Sequence, residues 1–394
     1  MRINPDKNSN FSFIADANVL AKQLAKMVSV TSFSSASDSE CHHIMIANKG
    51  SVYLVGYSPE TFVSVKLDVI EKPRTGGFLE FDVVSLQGLI KRRSELHIAF
   101  EDNQLKINAV KGKYSCYLKT VEVPPEYIAR INKGLAQKSN STELSVSDMQ
   151  ELKEALSHTS LKSIYATDKD SGLLCYITVS GGKLSVSAMD DLHMALYRAS
   201  VNSKAKFQLA LSSSMFNLIF KFIEDEENAK FALGSNGMSV FGESFVISLP
   251  PIQTEDIKFS LVQQFLKSVS SKRKCGFCLP NSAFDTIDNM NALAKNKEKF
   301  KFVLNKKGAV KITIDTDNGS VSDMFKVSDS DSKEGHKWNV DPLMFYDLYK
   351  KLKSLGSDIP IELYRPNVKD GAAFLITKVK LSKSSNVILV GTHE

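Results

Sequence analysis

Two cysteines separated by two residues are the part of this sequence that most resembles a reactive site of an enzyme. Cys275 and Cys278 lie in the stretch KRKCGFCLPNSAF. Thiol redox enzymes use the C-x-x-C spacing at the start of a helix, where the thiol pKa is lowered, and zinc sites commonly use two such pairs. The chain has five cysteines and no second C-x-x-C. Redox or zinc chemistry here therefore depends on the element that carries the pair.

The residues around this pair predict a β-strand. Residues three apart on a strand face opposite sides and lie about 10 Å apart. A disulfide requires Cα atoms within about 7 Å of each other. We therefore interpret Cys275 and Cys278 as structural residues, and a thiol redox enzyme is the least favoured of the functions considered.

A second cluster that could bind a metal is Cys41-His42-His43. It opens a predicted strand, where adjacent side chains point to opposite faces, and no further set of ligands lies near it in the sequence. The chain also lacks the phosphate-binding pattern G-x-x-x-x-G-K-[ST], the dinucleotide-binding glycine pattern, H-E-x-x-H and G-x-S-x-G. The sequence predicts a protein without catalytic residues, bound metal or cofactor.

Composition predicts a globular protein of two or three domains. The 394 residues are too many for one ordinary core, and 43% of them are hydrophobic and 24% charged. The chain has no run of about 18 apolar residues, so the sequence predicts no membrane span. The beginning, MRINPDKNSNFSF, lacks the apolar centre of a signal peptide, so we expect a cytoplasmic protein. The net charge of +6 permits a polyanionic partner without requiring one.

A repeated pattern runs through the chain. Six times, at intervals of about 65 residues, a short strand pattern leads into a capping residue and an amphipathic helix. Ser, Asp and Asn suit these cap positions because their side chains accept hydrogen bonds from the first unpaired N–H groups of a helix. The predicted caps are Asp16, Asp82, Ser147, Ser212, the pair Pro280 and Asn281, and Asp341, which precedes Pro342 at the first helical position.

Three strand-like runs follow each predicted helix, with turn residues such as Asn48-Lys49-Gly50 between them. Each repeat is therefore β-α-β-β-β, and the fold class is α+β. One repeat cannot bury its own helix and sheet, so two repeats should form a domain. The breaks EVPPEYIARINKGLAQKSNS and PPIQTEDIKFSLVQQFLKSVSSKRK predict domains at residues 1–128, 141–256 and 257–394, with 257–274 a linker long enough to hold a helix.

Three similar domains of two such repeats resemble the sliding clamp of bacterial replicative DNA polymerase, the beta subunit. The strongest local resemblance is the stretch KLSVSAMDDLHMALYRAS, which is similar to the L-x-x-x-A-T-D-G-H-R-L-A segment of the family. FALGSNGMSVFGESFVISL is similar to the hairpin that follows. Asp191, Leu192 and His193 replace the usual Gly-His-Arg, and the end VILVGTHE lacks the Met-Pro-x-Arg-Leu type of tail. Such departures suit a clamp encoded by a bacteriophage.

The resemblance implies a closed ring of two identical chains, with helices lining a central hole and sheets outside. Duplex DNA passes through the hole, the ring tethers a replicative polymerase, and an ATP-driven loader opens it. Because this function is topological, the resemblance implies a protein that is not an enzyme. The resemblance also implies that the protein acts in the cytoplasm of a bacterium or of an infected host cell.

If the helices line such a hole, each should carry an apolar stripe toward the sheet and basic residues toward the DNA. Basic residues do recur on the polar faces of five of the six helices. Such point charges attract phosphates without reading the base sequence. The helix of the fifth repeat is the exception, because Asp285 and Asp288 lie on its polar face. The candidate DNA-binding residues are Lys22, Lys26, Lys91, Arg92, Lys153, Lys221, Lys350 and Lys351.

The resemblance also implies an apolar pocket on the second domain that receives short peptides from polymerase, loader and repair proteins. By position, Met189, Leu192, Met194, Leu389 and Val390 would line it. Methionine suits a surface that accepts several ligands because its thioether is flexible. An ordinary core is the competing interpretation of these residues.

Two other functions stay open. One is a monomeric processivity factor of similar fold that binds DNA electrostatically without forming a ring, and the other is the thiol redox enzyme. A trimeric clamp of two-domain chains is disfavoured because the sequence contains six repeats.

Overall fold

The computed structural model describes most of the chain. The described residues are 10–31, 41–48, 50–58, 61–136, 141–144, 146–159, 174–189, 193–204, 206–224, 226, 229–234, 237–249, 273–294, 298–317, 319–353, 356–364, 373–383 and 385–393. Leu192 and most of the predicted linker 257–274 lie outside these residues. No helix among the described residues is long and apolar enough to cross a bilayer.

Helices and strands alternate as the repeat predicts. The helices are α1 (Ala17–Thr31), α2 (Val83–Ile90), α3 (Pro125–Ala136), α4 (Val146–Thr159), α5 (Ser213–Ile223), α6 (Ala283–Leu293) and α7 (Pro342–Lys353). The strands of the first half are β1 (Phe11–Asp16), β2 (His42–Asn48), β3 (Ser51–Tyr57), β4 (Phe62–Leu67), β5 (Gly77–Glu80), β6 (Glu95–Glu101), β7 (Gln104–Ala109), β8 (Ser115–Lys119), β9 (Ser141–Leu144), β10 (Leu174–Ser180), β11 (Lys183–Met189) and β12 (His193–Ser200). The remaining strands are β13 (Phe207–Ser212), β14 (Ala229–Gly234), β15 (Gly237–Phe241), β16 (Phe245–Leu249), β17 (Arg273–Leu279), β18 (Phe300–Leu304), β19 (Ala309–Thr316), β20 (Gly319–Lys326), β21 (His336–Val340), β22 (Ile359–Tyr364), β23 (Ala373–Lys380) and β24 (Ser385–His393).

Six β-α-β-β-β repeats are therefore present, and the fold class is α+β as predicted. The leading strands are β1, β5, β9, β13, β17 and β21, and the repeats are numbered one to six in that order. Each leading strand leaves its own repeat and pairs antiparallel with the neighbouring repeat, β1 with β6 and β5 with β2, for example. Repeats one and two, three and four, and five and six thereby exchange strands.

Four antiparallel sheets result. Two have four strands, in the orders β1-β6-β7-β8 and β20-β19-β18-β21. Two have eight strands, in the orders β5-β2-β3-β4-β16-β15-β14-β9 and β13-β10-β11-β12-β24-β23-β22-β17. The large sheets form where the last strands of two repeats meet, β4 with β16 and β12 with β24.

Contacts divide the chain into two compact units. One comprises Met1–Met149 and Ser214–Ile252, and the other Gln150–Ser213 and Gln253–Glu394. Each unit contains one eight-stranded and one four-stranded sheet. Each eight-stranded sheet is built from strands of two predicted domains. Strands of both domains therefore fall within one compact unit. The boundaries at 1–128, 141–256 and 257–394 stay a prediction.

Three of the predicted helix caps are confirmed by hydrogen bonds. The Asp16 carboxylate accepts from the N–H groups of Asn18 and Val19, at 2.7 and 3.1 Å. Asp82 caps α2 in the same way, accepting from two backbone N–H groups of the first turn. The Asp341 carboxylate accepts from Met344 N–H at 3.0 Å. These side chains satisfy donors that have no partner within the helix.

Of the other predicted caps, one agrees with the structure in position and two differ from it. Ser212 immediately precedes α5, as predicted. Ser147 is wrong as a cap, because α4 already begins at Val146. In the fifth repeat the cap is Ser282 rather than Pro280 or Asn281, and its side chain makes no capping bond. There the backbone carbonyls of Pro280 and Asn281 accept the first N–H groups in a tight turn.

The break between the second and third repeats is itself helical, which the sequence analysis missed. α3 buries Ile128 and Ile131 against Ile44, Ile46 and other side chains on the first large sheet. The opposite side of β2 faces α1, where His43 Nε2 lies 3.3 Å from the Met27 carbonyl. β2 is therefore buried on both faces, which explains its continuous run of buried residues.

Candidate nucleic-acid interface

The first helix has the predicted two-sided character. Leu20, Leu24 and Met27 are buried, while Lys22 is exposed. Lys26 is half-buried, and its ammonium group lies 5.6 Å from the centre of the Phe222 ring on α5. The Lys22 side chain is therefore accessible to solvent, whereas Lys26 packs partly against an aromatic ring of another helix.

The basic residues of the second repeat follow the helix instead of lying on it. α2 ends at Ile90, Lys91 is its C-cap, and Arg92 has a left-handed backbone with φ of 61°. The Arg93 guanidinium lies over the Tyr114 ring, 3.8 Å from its centre. Burial raises the Tyr114 pKa to about 12. Lys91, Arg92 and Arg93 are all exposed.

The helices of the third and fourth repeats differ in charge. Lys221 on α5 is exposed, opposite the buried Ile219 and Phe222. Lys153 on α4 is half-buried and shares its helix with the exposed Glu154. Burial, followed by the neighbouring Glu151 carboxylate, raises the pKa of Glu154. α4 is thus a weaker cationic surface than the sequence predicts.

The last two helices pair their charges with each other. The Lys353 ammonium of α7 lies 2.8 Å from Asp285 and 2.7 Å from Asp288, the two carboxylates of α6. These bonds raise the Lys353 pKa. Lys350 also has an acidic partner, with Nζ 3.2 Å from Asp347. The acidic stripe of α6 is therefore partly neutralised by α7.

The structure thus sorts the candidate cations by exposure. Lys22, Lys91, Arg92 and Lys221 are exposed, whereas Lys26, Lys153 and Lys350 are partly buried. The side chain of Lys351 lies outside the described residues. Lys353 was missed by the sequence analysis, because the pattern of α7 gives no sign of the carboxylates that meet it.

The predicted peptide pocket is only partly assembled. Met194 and Val390 are buried in one apolar cluster, and the partly exposed Met189 packs against it. Leu389 faces the other side of β24. A Cβ on Gly391, which is two residues after Leu389 and therefore on the same face of the strand, would lie 3.0 Å or less from Met344 of α7. Val390 lies on the other face, in the apolar cluster.

Strands distant in sequence complete this cluster. Leu196, Tyr364 and Ile376 are buried in it, and Phe374 and Ile388 pack at its edge. We call these residues, with Met189, Met194 and Val390, the apolar cluster of the second large sheet. The five added residues were not predicted from the sequence, because the sheet order β12-β24-β23-β22 brings them together.

Charged side chains stand beside this cluster. The Tyr364 hydroxyl donates to Glu362 at 3.0 Å, and burial raises the Tyr364 pKa to about 12. Glu362 also binds Arg273 Nε at 2.9 Å and Lys378 Nζ at 3.3 Å. Arg273 in turn binds Asp331 at 2.6 Å. An apolar surface beside charges of both signs can hold a peptide by apolar contact and orient it by charge.

The cysteine pair lies on a strand, as predicted. Cys275 is buried in β17 and Cys278, three residues later, is half-buried. Burial raises the pKa of both thiols, and the Asp331 and Asp329 carboxylates raise them further. This is the opposite of the lowered pKa that a redox thiol requires. Among the described residues, no group of His, Cys, Asp and Glu side chains could hold a metal ion.

The histidines of Cys41-His42-His43 are structural in their contacts. His42 Nδ1 lies 2.6 Å from a Glu80 carboxylate oxygen, and its Nε2 lies 3.0 Å from the Tyr127 hydroxyl. Burial lowers the pKa of His43. Each ring is thus bound to a neighbouring element of the fold, in agreement with the interpretation from sequence.

Similar solved structures decide the fold. The DNA polymerase III beta subunit from Thermotoga maritima superposes with a TM-score of 0.74 at 14% identity, covering 97% of this chain and 99% of that one. This chain has the sliding-clamp fold. The DNA polymerase sliding clamp from Bacillus subtilis gives 0.74 at 12% identity, covering 98% and 99%. The beta subunit from Pseudomonas aeruginosa gives 0.71 at 14%, covering 97% and 99%.

Sequence comparison adds nothing to this result. No model of a known protein family matches the chain, and no curated protein is similar to it in sequence. The sliding-clamp fold therefore rests on the arrangement of strands and helices along almost the whole length of both chains.

Proposed function

We propose that this chain is a DNA sliding clamp, a non-catalytic processivity factor that encircles duplex DNA and tethers a replicative polymerase. The observation that carries the proposal is the sliding-clamp fold over 97–98% of the chain, with nearly the whole of each clamp matched in return. All six repeats are retained, none of them replaced by a domain of another kind.

The order of the strands supports a ring of two chains. The last strand of repeat one, β4, pairs with that of repeat four, β16, and β12 of repeat three pairs with β24 of repeat six. Each junction joins repeats that are three apart. The same rule would join β8 of repeat two to β20 of repeat five, yet both are edges of four-stranded sheets. Pairing β8 with β20 of a second copy, and the reverse, would form two further eight-stranded sheets and close the ring.

Both edge strands expose apolar side chains that such pairing would cover. Tyr117 on β8 is 65% exposed, and Met324 on β20 is 59% exposed. Val321 on β20 is also exposed. Unprotected sheet edges tend to pair with other chains, so an edge with apolar residues is expected to have a partner. A second copy supplies a matching edge at each end.

The exposed cations support DNA binding without sequence specificity. Lys22 and Lys221 present charge from two different helices, and neither helix contains a base-reading motif. Attraction to phosphates alone holds a duplex while it slides, because every base pair offers the same charges. In this proposal Lys26, Lys153, Lys350 and Lys351 add to the cationic lining of the hole.

The apolar cluster of the second large sheet is the proposed site for peptides of the polymerase and of an ATP-driven loader. Its partly exposed members, Met189, Phe374 and Ile388, are the contact surface. Leu192 belongs to the proposed site by its position in the chain. Leu389 supports the site from the opposite face of the sheet.

The proposed setting follows from the same resemblance. Domains at 1–128, 141–256 and 257–394 correspond to three pairs of exchanged repeats. The departures from the bacterial pattern at Asp191, Leu192 and His193 favour a bacteriophage clamp. We place its action in the cytoplasm of a bacterium or of an infected cell.

Retention on circular DNA tests the proposal. The protein is loaded on nicked circular duplex with a clamp loader, washed with salt, and then the DNA is cut once. A ring stays bound to the circle in salt and is lost from the free ends after cutting. Equal loss before and after cutting would contradict encirclement and would support the monomeric processivity factor instead.

A further inference from the structure

Arg92 has an unusual backbone for its position. It follows the C-cap Lys91 with φ of 61°, in the left-handed region that favours glycine at the end of a helix. The side chain is exposed, so packing within the chain does not account for arginine there. A strained conformation that persists at an exposed charge suggests a function for that charge.

The first repeat shows what surrounds the position that corresponds to Arg92. Lys26 follows its cap Asp16 by the same number of residues as Arg92 follows Asp82. Lys26 contacts the Phe222 ring of α5, the helix of the repeat joined through β4 and β16. At an observed junction, this position therefore contacts the helix of the joined repeat. At the proposed junction of β8 with β20, the corresponding helix is α6 of a second copy.

The basic end of α2 lies beside the edge strand β8. The Tyr114 hydroxyl donates to the Leu89 carbonyl at 2.7 Å, and the Arg93 guanidinium covers the ring of Tyr114, which immediately precedes β8. These contacts hold Lys91, Arg92 and Arg93 at the sheet edge that the proposed ring would join.

The other edge carries the opposite charge. The Thr286 hydroxyl of α6 donates to Asp323 of β20 at 2.9 Å, which brings α6 close to that edge. Asp285 and Asp288 lie on the same helix and share one cation, Lys353. Lys326 is also on β20, but it is three residues from Asp323 and so on the opposite face of the strand. On the side of α6, the described contacts give three carboxylates and one bound lysine, so this side of the edge is negative.

We infer that Arg92, assisted by Lys91, binds the acidic stripe of α6 in a second copy of the chain and thereby joins subunits instead of contacting DNA. The inference rests on the proposed ring and assigns the chemistry of its junction. In a ring of two chains, the basic end of α2 meets the acidic α6 of the other chain twice, once at each junction. Opposite charges at such a junction speed the encounter of subunits and fix their orientation.

Charge reversal tests this pairing in the full-length protein. Arg92→Glu and Asp285→Arg are each studied by sedimentation across concentrations, alone and mixed. Asp285 suits reversal because its side chain is 76% exposed and Lys353 keeps Asp288 as a partner. Each variant alone should weaken self-association about tenfold or more. The mixture should regain it, because both junctions of a mixed ring then pair opposite charges.

The controls separate this inference from the proposed function. Lys221→Glu makes the same change of charge on another helix and should leave self-association unchanged. Asp288→Arg repeats the test if Asp285→Arg fails to fold, as judged by circular dichroism. A wild-type chain that stays monomeric would contradict the ring itself. A wild-type dimer in which Arg92→Glu does not weaken association, or in which mixing restores nothing, would overturn the inference alone.

Discussion

The Tyr127 hydroxyl lies 3.0 Å from His42 Nε2, and His42 Nδ1 lies 2.6 Å from the Glu80 carboxylate. This chain of hydrogen bonds connects α3 to two strands of the first large sheet. The His42 and Tyr127 rings also pack with their centres 4.5 Å apart. α3 is thereby fixed to the sheet by polar contacts as well as by Ile128 and Ile131.

Removing this hydroxyl should destabilise the protein. We expect Tyr127→Phe to lower the free energy of unfolding by about 1 kcal/mol, because a half-buried hydrogen bond is removed while the ring is kept. Urea denaturation followed by fluorescence measures the change. Tyr53→Phe is the matched control, since Tyr53 packs against the same cluster. Equal stability of the two variants would show that the hydrogen bond contributes nothing.

Two glycines should respond to alanine in opposite directions. A Cβ on Gly56 would lie 2.9 Å from Met27 Cε and 3.2 Å from Val30 Cγ1, so Gly56→Ala should cost about 1–3 kcal/mol through overpacking. A Cβ on Gly88 in α2 would meet nothing within 4 Å. Gly88→Ala should therefore add up to about 1 kcal/mol, since alanine favours the helix. Thermal unfolding gives both values, and a stabilised Gly56→Ala would contradict the packing of α1.

Reversing the exposed cations should weaken electrostatic binding to DNA without affecting assembly. Lys22→Glu with Lys221→Glu replaces attraction to phosphates by repulsion, and the salt dependence of binding should fall by about one unit of slope for each lysine–phosphate pair removed. Equilibrium binding to short linear duplex at several salt concentrations measures this, because encirclement does not hold the protein on DNA with free ends. Lys311→Glu, an exposed lysine on β19, is the control for net charge. Unchanged binding by the double variant would mean that DNA meets another face.

Neighbouring residues on β24 should separate binding from stability. Ile388 packs at the edge of the apolar cluster, whereas Leu389 is buried on the opposite face. Ile388→Asp should reduce binding of a polymerase-tail peptide, measured by fluorescence anisotropy, with little loss of stability. Leu389→Ala should cost about 2–5 kcal/mol of unfolding free energy through a cavity, with peptide binding retained in the folded fraction. Peptide binding unaffected by Ile388→Asp would place the site elsewhere.

The thiols of β17 should be slow to react. Burial and nearby carboxylates raise the pKa of Cys278 above that of an ordinary thiol, so less thiolate is present at any pH below the raised pKa. Alkylation of Cys278 near pH 8, followed by mass spectrometry, should be slower than in the unfolded chain, and the rate should rise with pH. Reaction faster than in the unfolded chain would indicate an activated thiol and revive the redox hypothesis.

The local elements followed from local chemistry. Helix-capping carboxylates, apolar stripes such as Leu20, Leu24 and Met27, and alternating strands depend on residues close together in the chain. They were therefore predictable from the sequence, and three caps and all six repeats were confirmed. α3 was missed because its break was interpreted as a linker, although its apolar face matches the sheet that it covers.

Which strands and charged side chains pair with each other could be seen only in the tertiary structure. Exchange of β1 with β5, the junctions of β4 with β16 and of β12 with β24, and the Lys353 bonds to Asp285 and Asp288 all join residues far apart in sequence. An alternating pattern shows which face of a strand is buried but not which strand lies beside it. The sequence alone determined the repeat and its amphipathic faces. Only the tertiary structure decided which edges meet and which cations stay exposed, because both depend on how distant segments pack in space.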